Sequence, residues 1–139
     1  MANTARPEID RPRFTRSAPY FPVADVERAA SHYESVLGFV REYAGGHPVQ
    51  FVIMSRDGLA IMLRGVADPA GICPNERQGG TWDAFFWVSD AQSLYDEFEA
   101  NGADLVYGPL VQVEYRMKEF AVRDLDGYIL GCGQPLATG

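Results

Sequence analysis

"FFWVSDAQSLYDEF" (85–98) decides how this chain is read. Its apolar opening reads as a strand that breaks at Ser89-Asp90. A helix comes next, with Ala91, Leu94, Tyr95 and Phe98 at helical spacing and Asp90 placed to cap it. The same reading occurs once more, in "YFPVADVERAASHY" (20–33). There Phe21, Val23 and Asp25 stand where Phe86, Val88 and Asp90 stand in the later stretch, each 65 residues upstream. The earlier helix carries Val26, Ala29, Ala30, Tyr33, Val36 and Leu37 on one stripe and closes at Gly38, as the later one closes at Asn101-Gly102.

The segments after each helix repeat as well. "FVREYAG" (39–45), "VQFVIMS" (49–55) and "LAIMLRG" (59–65) read as strands, the last two joined by the turn Arg56-Asp57-Gly58. In the second half the strands are "DLVYG" (104–108), "KEFAVRD" (118–124) and "YILGCGQ" (128–134), with Leu125-Asp126-Gly127 as the matching turn. The expected architecture is α+β: two tandem βαβββ modules over 17–65 and 82–135. An aperiodic Pro- and Gly-rich linker (66–81) joins them, with a flexible arm (1–16) before and a short tail (136–139) after. A four-stranded sheet with one helix covers only one of its faces. The two modules are therefore expected to build a curved mixed sheet around a shared cleft.

Composition narrows the function. The 139 residues are 47% hydrophobic and 22% charged, ordinary for one globular domain. A net charge of −7 argues against nucleic acid as a partner, since such binding depends on Lys and Arg at phosphates, and is compatible with a cationic ligand. No apolar run approaches the ~20 residues of a membrane span, and "MANTARPEIDRPRF" carries no apolar signal core, so a cytoplasmic protein with no membrane partner is expected. Cys73 and Cys132 are too few and too distant for a zinc motif and are expected as free thiols.

"PVADVERAASHYESVLGF" (22–39) resembles the opening module signature of the vicinal oxygen chelate superfamily, which includes glyoxalases, bleomycin-resistance proteins and extradiol dioxygenases. "MKEFAVRDLDGYIL" (117–130) resembles its closing signature, with Leu125 where Pro is usual and Tyr128 where Asn is usual. The resemblance runs from about Ala18 to Gln134 and is nearest in pattern to the bleomycin-resistance-like branch. It implies the glyoxalase/bleomycin resistance fold, a twofold homodimer, and an N-terminal arm reaching across it, for which Phe14 offers an apolar anchor.

The resemblance also implies where a divalent metal would sit: a His or Gln on the first strand and a Glu on the last strand of each module. The matching positions here are Ala18, Met62, Asp83 and Gly131. Three of the four offer no metal donor, so neither a metal nor any other cofactor is expected. His32, on the first helix, and His47, in a turn, read as structural or solvated.

Strand alternation puts Tyr20, Asp83, Phe85 and Trp87 on the cleft side and Ala84, Phe86 and Val88 under the helix. Met62 shares the cleft side. Tyr115 falls in a polar run (Glu114, Tyr115, Arg116, Lys118, Glu119) that reads as a mobile loop, where bleomycin-resistance proteins carry a Trp-Gly turn beside the ligand. The expected function is thus a metal-free protein that sequesters a small aromatic or cationic compound between Tyr20, Met62, Asp83, Phe85, Trp87 and Tyr115. The alternative is a glyoxalase-like lyase or isomerase, or a dioxygenase-type enzyme, using Asp83 or Glu119 as general base.

Overall fold

A computed structural model describes residues 11–137. Strand β1 (Tyr20–Val23) is followed by helix α1 (Val26–Ser35) and strands β2 (Val40–Gly45), β3 (Phe51–Arg56) and β4 (Leu59–Gly65). The second half repeats the order with β5 (Ala84–Trp87), α2 (Ala91–Ala100), β6 (Asp104–Gln112), β7 (Met117–Arg123) and β8 (Ile129–Pro135). Both helices start as their sequences dictate: the carboxylates of Asp25 and Asp90 accept the N–H of Arg28 and Ser93, satisfying donors the first turn leaves free.

Two four-stranded sheets result, ordered β1-β4-β3-β2 and β5-β8-β7-β6. In each, the first strand runs parallel to the fourth and the rest are antiparallel. Tyr20 is level with Met62, and Phe85 with Gly131. The linker is more structured than its aperiodic sequence suggests, with short 3₁₀ turns at Pro69–Gly71 and Asn75–Gln78. Strand β6 also runs four residues past its expected end. Gly108-Pro109 reads as a break, but the strand passes through it with two register shifts against β7. Gly108 has φ +96°, and a Cβ there would come within 2.5 Å of the Glu119 carbonyl, so only glycine fits this approach.

The helix-bearing faces of the two sheets meet in one core. Phe21, Val23, Tyr33, Leu37, Met54 and Leu63 from the first half join Phe98, Phe120, Val122 and Leu130 from the second. The Phe21 and Tyr128 rings stack with centroids 4.2 Å apart and planes 7° off parallel. The Tyr128 hydroxyl donates to the Pro22 carbonyl at 2.6 Å, and that of Tyr33 to Asp124 Oδ2 at 2.7 Å. Arg56 reaches Glu97 in the opposite half at 2.7 Å.

This arrangement corrects one expectation. The modules join through their helix-bearing sides, so the open faces of the two sheets turn away from the shared core and do not form one cleft within the chain. No helix among the described residues is long and apolar enough to cross a membrane. Of the expected arm, residues 1–10 lie outside the described residues. Residues 11–16 are exposed, with Phe14 uncovered and Arg16 paired to Glu42 at 2.8 Å.

Candidate functional site

The open face of the second sheet carries most of the residues singled out in the sequence. Alternation along β5 places Phe85 and Trp87 on this face and packs Ala84 and Phe86 into the core, as expected. Strand β8 makes room for the rings. A Cβ added at Gly131 would lie 2.7 Å from both Phe85 and Trp82, and one at Gly133 would lie 2.6 Å from Phe85 and Met117. The rings of Trp82 and Phe85 therefore lie directly on glycine backbone, 4.7 Å apart by centroid. Trp87 stands edge-on to Phe85 at 5.2 Å and is 69% exposed.

Beside these rings lies Glu119. In sequence it falls both in the polar run ending at Glu119 and at the start of the strand expected over 118–124; it sits inside β7 and is fully buried, because β7 begins at Met117 and only Val113–Arg116 turn. One carboxylate oxygen accepts the Tyr115 hydroxyl at 2.6 Å and the other accepts the Tyr107 hydroxyl. Trp82 Nε1–H in turn donates to Tyr107 at 2.9 Å. Burial and the bond to Glu119 raise the Tyr107 pKa, and desolvation with the same bond pushes Tyr115 up to about 12, so both phenols stay protonated donors. No ion pair to Glu119 occurs among the described residues. Fully buried, with both oxygens accepting phenol hydroxyls, Glu119 acts on a ligand through its field and not by a direct hydrogen bond, which suits a cation lying on the neighbouring rings.

The other expected residues lie elsewhere. Tyr20 and Met62 are neighbours on the open face of the first sheet, where Tyr20 stacks against Phe51 at 6.3 Å and accepts from Arg64 Nε at 2.8 Å. Among the described residues, no ring contact or hydrogen bond joins this group to the one around Glu119. Asp83 is tied to the backbone. Its Oδ1 accepts the Asn75 N–H and its Oδ2 the Ile129 N–H, each at 2.8 Å, so it pins the linker to the start of β8. Trp82, Tyr107 and the burial of Glu119 are not apparent from the sequence. The Gly131-x-Gly133 spacing in β8 was the available signal, since two glycines on one strand face leave space for rings above them.

The family's metal does not fit these residues. Any side chain at Gly131 would collide with Phe85 and Trp82, and among the described residues no three His, Cys, Asp or Glu side chains gather as a metal would need. His47 is exposed in its turn. His32 has its Nε2 buried without a hydrogen-bond partner among the described residues, and burial lowers its pKa. Cys132 is buried, which pushes its thiol up to about 12 and leaves it inert as a nucleophile.

A sequence model described as the glyoxalase/bleomycin resistance protein/dioxygenase superfamily matches residues 15–131. The chain belongs to that superfamily. No curated protein matches it in sequence. Among solved structures it is similar to TioX from Micromonospora sp. ML1, with 25% identity and a TM-score of 0.66, covering 88% of this chain and 100% of that one. It is also similar to the bleomycin resistance determinant encoded on transposon Tn5, with 20% identity and a TM-score of 0.68 over 88% and 98% of the two chains. TnmS3, described as an antibiotic binding protein from Streptomyces sp. CB03234, matches at 19% identity and a TM-score of 0.65 over 88% and 97%. The superfamily's α+β fold of paired βαβββ units is thus the fold of this chain.

Proposed function

We propose that this protein binds and sequesters a small flat aromatic compound, preferentially cationic, on the open face of its second sheet, without a metal. The observation that carries the reading is the aromatic enclosure of Trp82, Phe85, Trp87, Tyr107 and Tyr115 around the buried carboxylate of Glu119. Stacking on such rings adds about 0.5–1.5 kcal/mol per pair beyond burial, and a desolvated cation over Trp or Tyr adds about 2. Two structural relatives described as a bleomycin resistance determinant and an antibiotic binding protein support an antibiotic as the class of compound. The enzymatic alternative is less well supported: Asp83 has no free oxygen, and each oxygen of Glu119 already accepts a phenol, leaving neither poised to take a substrate proton.

Within one chain this face is open on one side. A second copy offering its first-sheet face, with Tyr20, Met62 and the Arg64-over-Phe51 pair at 5.3 Å, would roof it. We therefore include a homodimer in the proposal.

The test uses N-methylacridinium and its neutral isostere acridine, at mildly alkaline pH. The only two tryptophans, Trp82 and Trp87, both lie at this face, so bound probe should quench the protein's tryptophan emission. Trp87→Ala should weaken binding by about 1–3 kcal/mol, roughly five- to a hundredfold. Melting should change little, because a side chain 69% exposed leaves no cavity when truncated. Equal affinity of wild type and variant for both probes would reject the site.

A further inference from the structure

The repeat allows each junction between the modules to be compared with its counterpart, and the two are not alike. At one junction the turn between β7 and β8 is closed against β1. Tyr128, 6% exposed, stacks on Phe21, and its hydroxyl reaches the Pro22 carbonyl. By the sequence offsets, Phe86 is the counterpart of Phe21, Trp87 of Pro22, and Leu59 of Tyr128, each of the last two following an Asp-Gly turn. Sheet register agrees, since Phe21 is level with Leu63 and Phe86 with Cys132.

A second pair of counterparts supports the equivalence. Tyr33 meets Asp124 at the first junction; at the second, Phe98 meets Arg56, which pairs with Leu59 across its turn as Asp124 bonds Tyr128, with the guanidinium 5.8 Å from the ring centroid.

At the second junction the stacked ring is missing. Leu59 is 45% exposed, and the turn before it is one residue shorter than the Asp124–Gly127 turn. Between Leu59, Phe86, Val88, Leu94 and Phe98 lies a cavity of about 600 Å³, within the size range of small-molecule sites. Val88 N–H donates to Gly133 O, so the parallel ladder turns Phe86 and Val88 toward β8 and the Trp87 carbonyl toward the sheet edge, as it turns Pro22 on β1.

We propose that this cavity is a second binding site, separate from the face around Glu119, and that it takes a planar phenol-like ring. The ring would stack on Phe86 and donate its hydroxyl to the Trp87 carbonyl, as Tyr128 does on Phe21 and Pro22. The chain's own other half thus supplies the occupant's shape and its one polar requirement. Leu59, Val88, Leu94 and Leu130 give the ring an apolar wall, and Arg56, Asp57, Asp90 and Glu97 also line the cavity.

p-Cresol, the side chain of tyrosine as a free molecule, is the probe, with toluene as the analogue lacking the hydroxyl. Titration into wild-type protein with methyl groups labelled for NMR should shift Val88 and Leu94 and leave Met117, on the open face, unmoved. Toluene should bind at least severalfold more weakly. Leu59→Tyr should place the missing ring covalently, raise the melting temperature, and reduce p-cresol affinity tenfold or more. Should that variant fail to fold, the methyl shifts in wild type decide alone. Shifts confined to Met117, no shifts at all, or a folded Leu59→Tyr protein with unchanged p-cresol affinity would each overturn the proposal. So would loss of self-association in Leu59→Tyr without p-cresol binding to wild type, which would assign the cavity to a second copy of the chain.

Discussion

Asp83 shows how much one side chain's role depends on what surrounds it. From sequence it is an acid facing a cleft; in the fold each of its oxygens holds a backbone N–H, one from the linker and one from β8. Asp83→Ala leaves both donors without a partner and should destabilise by about 1–3 kcal/mol, with affinity for N-methylacridinium unchanged. Asp83→Asn should fall between, since its amide oxygen can still accept one of the two. Paired melting and titration curves check both, and a loss of cation binding at full stability would return Asp83 to the site. Glu119 went the other way. A charged residue amid Glu114, Arg116 and Lys118 reads as solvated, and only the register of β7 shows that it points inward. Burial of an acidic residue without a basic partner leaves no signature in local sequence.

At the scale of elements, the strand–cap–helix repeat was legible because it rests on local rules: an Asp at each N-cap, an apolar stripe, and a Gly after each helix. Both helices begin one residue after their capping Asp, as the pattern requires. β6 was legible only in its first half, because its passage through Gly108-Pro109 depends on the close approach of β7, a contact between residues distant in sequence. The turn between β7 and β8 carries a pH response that sequence could not suggest. Asp124 accepts the N–H groups of Asp126 and Tyr128 and the Tyr33 hydroxyl, yet burial outweighs these bonds and raises its pKa to about 6 from 3.8. A raised carboxyl contributes stability that is complete below its ordinary value and is lost as pH rises through about 6. Wild type should therefore lose on the order of 2–3 kcal/mol relative to Asp124→Asn between about pH 4 and pH 7. Parallel pH curves of the melting temperatures for the two proteins would show that the ionised Asp124 carries no such cost.

For the whole molecule, the fold was legible down to the pairing of modules, whereas the sides by which they pair were not. The sequence marks which residues are apolar, but Phe21 on Tyr128 and Tyr33 on Asp124 are contacts across about a hundred residues, and no local pattern names the partner. With the open faces directed apart, the proposed enclosure of ligand needs two chains, and light scattering at micromolar concentration should give about twice 15.4 kDa. A monomer would confine binding to the second sheet alone, with Tyr20 and Met62 excluded from it.

The fused core has one further consequence. Because Phe21 stacks on Tyr128, Pro22 accepts from Tyr128, and Arg56 pairs with Glu97, the halves have become complementary rather than interchangeable. Neither half can bury its helix face by itself, and a chain built from two first halves would have no Tyr128 and no Asp124 to offer. The exposed linker around Asp68 should accordingly tolerate a cut: the separate halves would each stay unfolded, and when co-expressed they would reassemble into one soluble particle. Recovery of a folded first half alone would show that the duplicated unit has kept its independence.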